Sequence, residues 1–408
     1  MMAIAAIAIL VAIFFWLYSK RQIPSTAEVL PAQESPVLEE SVNDDLQVPE
    51  DSFQIKNLPR TMLLETFRVM AADDCEQEFK LEFPENLAEL AAAFEEEMEI
   101  GFDARVALVQ SKIAATTEIL NVSADSEHLH LSALLSKDPA TSVDFMARAM
   151  AVNPNVAKLA YDAVWMCAKA KDVADCPIEA WEQRLVDLDK ENSESWGLIA
   201  KNRYERGEVD AAFEAMRRAA SAAETRDYYA ETIEMAERSF AAGGLLSLEE
   251  RIVQAYFVGN TFSLHTWAPL GMCREQGAMD AEWARVCLAY GDLTEKRGQN
   301  DGTKLTGIKI QKYALEQLGE LRDKADVEAR LKEFGTWRPP DDMLAMLSTL
   351  LIATSSDAWS GYVASYKADG ERAANTHLRS HTCKWLGGQA GAEGEISMEE
   401  MFDPYLQP

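Results

Sequence analysis

The stretch Ser193–Ala223 constrains the fold most, because it holds two helical patterns separated by a short break. In each half, apolar residues recur at the spacing of one helix face. Between the halves, Arg206-Gly207-Glu208 favours a tight turn. Two amphipathic helices joined in this way each need the other's apolar face, so the stretch predicts an antiparallel helical hairpin. The two stripes are Trp196, Ile199 and Ala200, and then Ala212, Met216 and Ala219.

A second hairpin pattern lies upstream. Ser142, Met146 and Ala149 have the spacing of the second stripe above, and Asn153-Pro154-Asn155 would end the hairpin. The corresponding junctions Pro154, Lys190 and Glu224 are 36 and 34 residues apart. A recurring period of this length predicts an array of at least two stacked hairpins. Between these junctions we expect a first helix over Ala157–Cys167 and a second over Pro177–Leu188.

These patterns resemble the tetratricopeptide repeat. The first helix of that repeat has an aromatic residue, two spacers, a large apolar and a small residue, and its second helix has Ala, three spacers and a large apolar residue. The sequence departs from the family where Arg203 replaces a large apolar residue and Glu224 replaces the terminal Pro. The resemblance covers Asp138–Ala223 and implies a right-handed stack of hairpins whose concave side holds a protein or peptide. By position it implies contacts from Lys201, Asn202, Arg203 and Arg206.

The N-terminal residues predict a membrane anchor. Met1–Tyr18 is a run of 18 apolar residues followed by Ser19-Lys20-Arg21. Such a run is just long enough for a bilayer core of about 30 Å. A cleaved signal peptide is the alternative, but no basic residue precedes the run and no small-x-small site follows it. We therefore assign 1–19 to an uncleaved anchor, and the acidic, Pro-containing residues 20–57 to a disordered tether.

The remaining chain predicts an all-α protein. Helical spacing persists through an N-terminal helical segment, 58–137, the repeats, 138–242, and a C-terminal helical segment, 243–386. No long alternating run predicts a strand. Residues 387–408 are Gly-rich and then acidic, so we expect a flexible tail. The fold class is thus an anchor followed by an α-solenoid of helical hairpins.

Charge excludes one class of partner. The chain has 68 acidic and 39 basic residues and a formal charge of −29, which repels phosphate backbones. We therefore expect no nucleic-acid binding. The sequence also contains no phosphate-binding loop, nucleotide fingerprint or nucleophile elbow. We accordingly expect neither a catalytic residue nor a bound cofactor or metal.

One cluster offers an alternative. His377 and His381 are four residues apart, which places two imidazoles on one helix face, and Cys383 follows closely. This arrangement suits a metal-binding or hydrolytic protein. Against it, no further ligand cluster is patterned, and the segment lacks the Glu that helical metalloprotease sites carry between their histidines.

The cysteines predict disulfides. Cys167 and Cys176 bracket one proposed loop between helices, and Cys273 and Cys287 bracket another. Each pair can close a short loop across antiparallel helices. Cys75 and Cys383 remain as a long-range pair or as free thiols. The alternative is that all six are buried thiols in a reducing compartment.

Localisation rests on two opposing signals. Lys20 and Arg21 follow the anchor, so the positive-inside rule would leave the bulk of the chain in the cytoplasm. Disulfides persist in an oxidising space such as the periplasm. We favour the periplasm, and expect a scaffold tethered to the inner membrane that binds another envelope protein. The metal content of the purified protein would distinguish the scaffold hypothesis from the metal-binding or hydrolytic hypothesis.

Overall fold

The computed structural model describes residues 108–170, 176–262, 268–336, 352 and 355–386. The chain divides into two compact units. One, which we call the helical unit, consists of Ser111–Pro339 and Ser348–His381. The other consists of Met1–Gln110, Pro340–Leu347 and Thr382–Pro408. Nearly all described residues belong to the helical unit.

The described residues are all-α, as the periodicity predicted, and form no strand. Fifteen helices follow one another within the described ranges. They are α1 (108–121), α2 (Ser126–Leu135), α3 (Pro139–Val152), α4 (Ala157–Lys169), α5 (Ile178–Asp189), α6 (Ser193–Glu205), α7 (Val209–Ala220), α8 (Tyr229–Gly243), α9 (Leu248–Phe262), α10 (Ala268–Gly277), α11 (Ala281–Arg297), α12 (Asp301–Leu318), α13 (Leu321–Thr336), α14 (Ser356–Asp369) and α15 (Glu371–Leu386).

The predicted hairpin is present as α6 and α7, which pack against each other across a three-residue turn, 206–208. All residues of both predicted stripes are buried, and Ala212, Met216 and Ala219 are 0% exposed. The Trp196 indole is buried and donates from Nε1 to the Lys190 carbonyl at 2.7 Å. The chain therefore has a helical repeat-like fold, and its hairpin lies at the predicted position.

The 34-residue spacing also has a structural counterpart. Asn192 and Glu224 form an isolated parallel bridge between the start of α6 and the linker after α7. The Ser193 N–H donates to the Glu224 carbonyl at 2.9 Å, and the Glu224 N–H donates to the Glu191 carbonyl at 3.0 Å. The two periodic junctions are thus held together directly.

Polar caps explain many helix starts. Asp125, Asp138, Asn192, Asp280, Asn300 and Ser355 are N-caps whose side chains accept from backbone N–H groups one to three residues into the helix. Such caps satisfy N–H donors that have no partner inside the helix. The sequence of the Gly298–Gly302 stretch predicts a break between helices, but Asn300 caps α12 inside it, so the break is shorter than five residues.

Two expectations at the ends of the helical unit need refinement. The apolar spacing of residues 103–120 predicts a buried stripe that includes Ile119, but Ile119 is 46% exposed and the next residue, Leu120, is 1% exposed. The sequence also predicts helical structure over Asp357–Leu386, and Gly370, which has φ +81, divides this segment into α14 and α15. A Cβ at Gly370 would lie 2.4 Å from the Gln299 carbonyl oxygen, so glycine is required there.

One hydrophobic cluster runs through most of the helical unit, from Leu120 on α1 to Leu378 on α15. A smaller cluster of Ile308, Leu315 and Val327 joins α12 to α13. The repeats and the helices after them therefore share one core. Stacked hairpins bury their faces against neighbours in this way.

Both expected cysteine pairs lie at disulfide distance. The Cα atoms are 5.7 Å apart for Cys167–Cys176 and also for Cys273–Cys287. Cys383 is disulfide-bonded as well, so it is not a free thiol. Cys75 lies outside the described residues.

None of the described helices is long and apolar enough to cross a bilayer. The expected anchor 1–19, tether 20–57 and tail 387–408 lie outside the described residues, as does most of 58–137. These assignments remain predictions.

Candidate functional site

A cleft of about 840 Å³ opens where three helix junctions of the helical unit meet. We call it the junction cleft. Its walls come from the linker before α8 with the first turn of α8, from the end of α11 with α12, and from the end of α14. The lining residues are Ala223, Glu224, Thr225, Arg226, Ala230, Glu231, Lys296, Arg297, Gly298, Gln299, Lys304, Tyr366, Lys367, Ala368, Asp369 and Gly370.

Asp227 joins the three junctions next to the cleft. Its buried carboxylate accepts hydrogen bonds from the Asn300 side chain, from the Tyr366 hydroxyl at 3.0 Å and from the Tyr229 backbone N–H at 2.9 Å. Burial raises the pKa of Asp227 although these hydrogen bonds oppose the shift. One side chain thus ties the start of α8 to α12 and α14.

Further hydrogen bonds connect the same junctions. The Asp227 N–H donates to the Gln299 side chain at 3.3 Å, and the Glu371 N–H donates to the Gln299 carbonyl at 2.8 Å. Glu371 in turn accepts from the Asp301 N–H at 2.8 Å. Because α8, α12 and α15 begin within this network, the backbone around the cleft is fixed by buried contacts.

The linker side is held by Asn192 and Asp189. The buried Asn192 side chain accepts from the backbone N–H groups of Glu194 and Arg226 and donates to Asp189 and to the Arg226 carbonyl, at 2.8 to 3.1 Å. Asp189 also accepts from Arg226 at 2.6 Å and from the Tyr228 hydroxyl.

The linker before α8 has a strained backbone conformation at Tyr228. It has φ 60, the only positive φ of a non-glycine residue in the described ranges. This backbone conformation is costly for a bulky residue and persists only where the surroundings enforce it. The hydroxyl bond to Asp189 and the tilted contact with the Tyr161 ring at 5.2 Å supply that enforcement.

The predicted binding residues on α6 have internal contacts. Asn202 is 2% exposed and its side-chain amide donates to the Val164 carbonyl at 3.4 Å, and its role in binding stays a prediction. It lies on the side of α6 that packs on α4. Arg203 and Arg206 both pair with the buried Glu182 at 2.9 Å.

Lys201 pairs with Glu205 at 3.0 Å and keeps 32% of its side chain exposed. Arg203 and Arg206 are also about one third exposed, at 29% and 27%. A partner could therefore reach these three side chains only in part. Their role in binding remains a prediction.

The side of α6 that carries Gly197 and Tyr204 is covered by later helices. A Cβ at Gly197 would lie 3.0 Å from the Tyr290 hydroxyl of α11 and 3.1 Å from Pro269 of α10. The Tyr204 hydroxyl donates to Glu275 at 3.0 Å and accepts from Gln276 at 3.0 Å, both on α10. Helices α10 and α11 therefore pack on this side of α6.

The histidine cluster is only partly assembled. The rings of His377 and His381 are stacked with centroids 6.4 Å apart. Cys383 is disulfide-bonded, so its sulfur is not the thiolate that the metal hypothesis needs. Within the described ranges no group of three His, Cys, Asp or Glu residues is placed to hold a metal ion.

Sequence reasoning missed the residues of the junction cleft. Asp227, Asn300 and Tyr366 come from three distant segments, and each alone has an ordinary local context. The one local signal was the Gly298–Gly302 stretch, which we interpreted only as a break. An acidic residue directly before a helical pattern, as at Asp227, could have marked a second junction.

No protein-family model, curated protein or solved structure matches this chain. The fold and the cleft are therefore interpreted from their own contacts.

Proposed function

We propose that the protein is a membrane-tethered scaffold or adaptor of tetratricopeptide type that binds a protein or peptide partner. In this proposal 1–19 anchors the chain, 20–57 separates the folded part from the bilayer, and the helical unit carries the binding surface. The partner is another envelope protein. The continuous core of stacked helices supports this function, because such arrays offer extended, rigid surfaces.

The junction cleft is the observation that carries the proposal. It is concave, has a volume of about 840 Å³ and is bordered by charged side chains from several helices. Its backbone is held by hydrogen bonds through the buried Asp227 and the half-buried Gln299. A preorganised concave surface lowers the entropic cost of binding a flexible segment. We therefore place the principal contact in the cleft, with Lys201, Arg203 and Arg206 as secondary positions.

The disulfides support the location. Cys167–Cys176 and Cys273–Cys287 are bonded within the helical unit. Disulfides of this kind persist in oxidising compartments, which favours the periplasmic side of an inner membrane over the cytoplasm. Alkylation of thiols in denatured, non-reduced protein tests this directly. Labelling of all four cysteines without reductant would contradict the disulfides and favour a cytoplasmic location for the helical unit.

The binding role is tested by photo-cross-linking in intact membranes. A photoreactive residue replaces Ala368, which is exposed at the cleft, and a matched one replaces the exposed Glu214 of α7. We expect a discrete protein adduct from position 368 and none from position 214. Equal adducts at both positions, or none at either, would contradict a partner site in the cleft.

A further inference from the structure

The junction cleft differs in charge from the chain as a whole. Its lining has five basic side chains, Arg226, Lys296, Arg297, Lys304 and Lys367, against three acidic ones, Glu224, Glu231 and Asp369. The whole chain carries a formal charge of −29. The chain as a whole repels anions, whereas a local excess of positive charge attracts them to the cleft.

Among the described residues, two of the five cations have no hydrogen-bonded carboxylate partner. Lys304 is half-buried, and its ammonium makes no hydrogen bond or ion pair with the described residues, although its charge acts on the Glu371 carboxyl group. Arg297 is exposed, and within the same ranges its guanidinium donates only to the Ala223 carbonyl. Their positive charge is therefore available to a ligand.

The other three cations are already paired to different degrees. Lys296 pairs with Asp292 at 2.8 Å and Lys367 pairs with Glu234, both at exposed positions where such pairs are weak. Arg226 is committed to the buried Asp189. The available charge therefore lies mainly at Lys304 and Arg297, on the α11–α12 side.

The acids below the cleft offset this charge incompletely. Burial raises the pKa of both Asp227 and Glu371, and Lys304 opposes the shift at Glu371. Burial thus disfavours their charged forms. Asp227 and Glu371 therefore neutralise only part of the positive charge of the lysine and arginine side chains that line the cleft.

We propose that the junction cleft binds oxyanions, and specifically the carboxylates of an acidic polypeptide segment, through Lys304 and Arg297. This inference rests on the proposed function, in which the cleft holds a partner. The fork of N–H donors on Arg297 suits a carboxylate, and the Lys304 ammonium acts as a point charge beside it. The cleft volume of about 840 Å³ accommodates several side chains, which favours a peptide over a single small anion.

The test uses the full chain in an uncharged detergent, titrated calorimetrically with a ten-residue polyglutamate and, separately, with inorganic phosphate. We expect the peptide to bind, and to bind more weakly as salt rises from about 50 to 200 mM. Lys304→Gln and Arg297→Gln should each weaken peptide binding by about three- to tenfold. Arg217→Gln, which removes the same charge from the exposed side of α7, should leave it unchanged.

Each outcome decides one assignment. Binding of phosphate but not of the peptide would overturn the acidic-segment assignment. Peptide binding that Lys304→Gln and Arg297→Gln leave intact would overturn the roles of these residues. If the adduct at position 368 forms but neither ligand binds, anion recognition fails while the scaffold function stands. Peptide binding without any adduct would support the anion site and contradict the partner function.

Discussion

Asp162 on α4 and Glu194 on α6 are both buried carboxyl groups, but only Asp162 has a cation beside it. Both Asp162 oxygens accept from the Lys158 ammonium at 2.6 Å, and one also meets the His130 Nε2 at 2.6 Å. The Asp162 side chain is 0% exposed. Burial raises its pKa, but the Lys158 charge and the His130 hydrogen bond outweigh burial, and the net pKa is lowered.

Glu194 lacks such compensation. It is 3% exposed, and among the described residues its side chain accepts a hydrogen bond only from the Tyr290 hydroxyl, at 3.3 Å. Burial and the nearby Asp227 raise its pKa to about 8. The first turn of a helix favours a negative charge, but here that effect is too small to offset desolvation.

The difference teaches how the two regions are built. In α4 the compensating lysine is one turn away on the same helix, so a charged pair is buried as a unit. At α6 the acid is covered by α11, and it is largely protonated at neutral pH. Charge compensation is local in the first region, whereas the second depends on how later helices pack.

The largest expected effect comes from removing the cation. Lys158→Met leaves the buried Asp162 carboxylate with His130 but without its lysine, which costs about 3–5 kcal/mol of the free energy of unfolding at pH 7. Without Lys158 the folded pKa of Asp162 is raised, so the loss should shrink as pH falls toward the unfolded value near 4. Urea denaturation at pH 7 and at pH 4 measures both effects.

Two variants control this experiment. Lys296→Met removes an exposed lysine with a similar ion pair on its own helix and should change stability little. Lys158→Met combined with Asp162→Leu should recover much of the loss, because apolar residues can replace a buried pair. Parent-like unfolding of Lys158→Met at pH 7 would show that the pair is not needed.

The next effect concerns the acid without a cation. The folded pKa of Glu194 is about 8 and its unfolded value about 4.5, so the native state holds the extra proton between these values. Its contribution to stability therefore falls as pH rises from about 4.5 to about 8. Glu194→Gln should match the parent near pH 4 and be more stable by about 2–4 kcal/mol at pH 9.

The measurement is a series of urea unfolding curves from pH 4 to pH 9. Glu214→Gln, an exposed substitution on α7, is the control. A difference between Glu194→Gln and parent that stays constant with pH would mean that the pKa of Glu194 is the same in the folded and unfolded states.

The sequence predicted what is local. The α6–α7 hairpin, its stripes and the junction at Asn192 were found because helical periodicity and turn residues act over a few positions. The burial of Asn202 was not predicted, because periodicity does not show which flank of a helix a neighbour covers. The burial of Asn202 depends on α4, about 40 residues earlier in the chain.

The covering of α6 and the junction cleft could not be predicted in this way. Gly197 meets Pro269 and Tyr290, and Asp227 meets Tyr366, across long sequence separations. Such contacts arise from the packing of complete helices. Neither pattern nor propensity within one window encodes them.

A smaller effect tests the hairpin itself. Ala212→Leu adds atoms where α7 packs closely on α6 at a residue that is 0% exposed. Overpacking should lower the free energy of unfolding by about 1–3 kcal/mol. The half-buried neighbour Ala211 is the matched control, and Ala211→Leu should cost less. Thermal unfolding compares them, and equal losses would mean that the register of α7 is wrong.

The smallest effect tests the cover over Glu194, using two glycines inside helices. Gly271 of α10 has no atom within 4 Å of an added Cβ, whereas Gly197 of α6 has the Tyr290 hydroxyl at 3.0 Å and Pro269 at 3.1 Å. Gly271→Ala should gain about 0.5–1 kcal/mol from the lower backbone entropy of alanine in the unfolded chain. Gly197→Ala gains the same amount but must displace Tyr290 or Pro269 by a few tenths of an ångström. The free energy of unfolding of Gly197→Ala should therefore be about 1–2 kcal/mol lower than that of Gly271→Ala in the same urea experiment. Equal stabilisation by both would show that α10 and α11 do not press on α6 in solution, and the high pKa of Glu194 would then lose its structural cause.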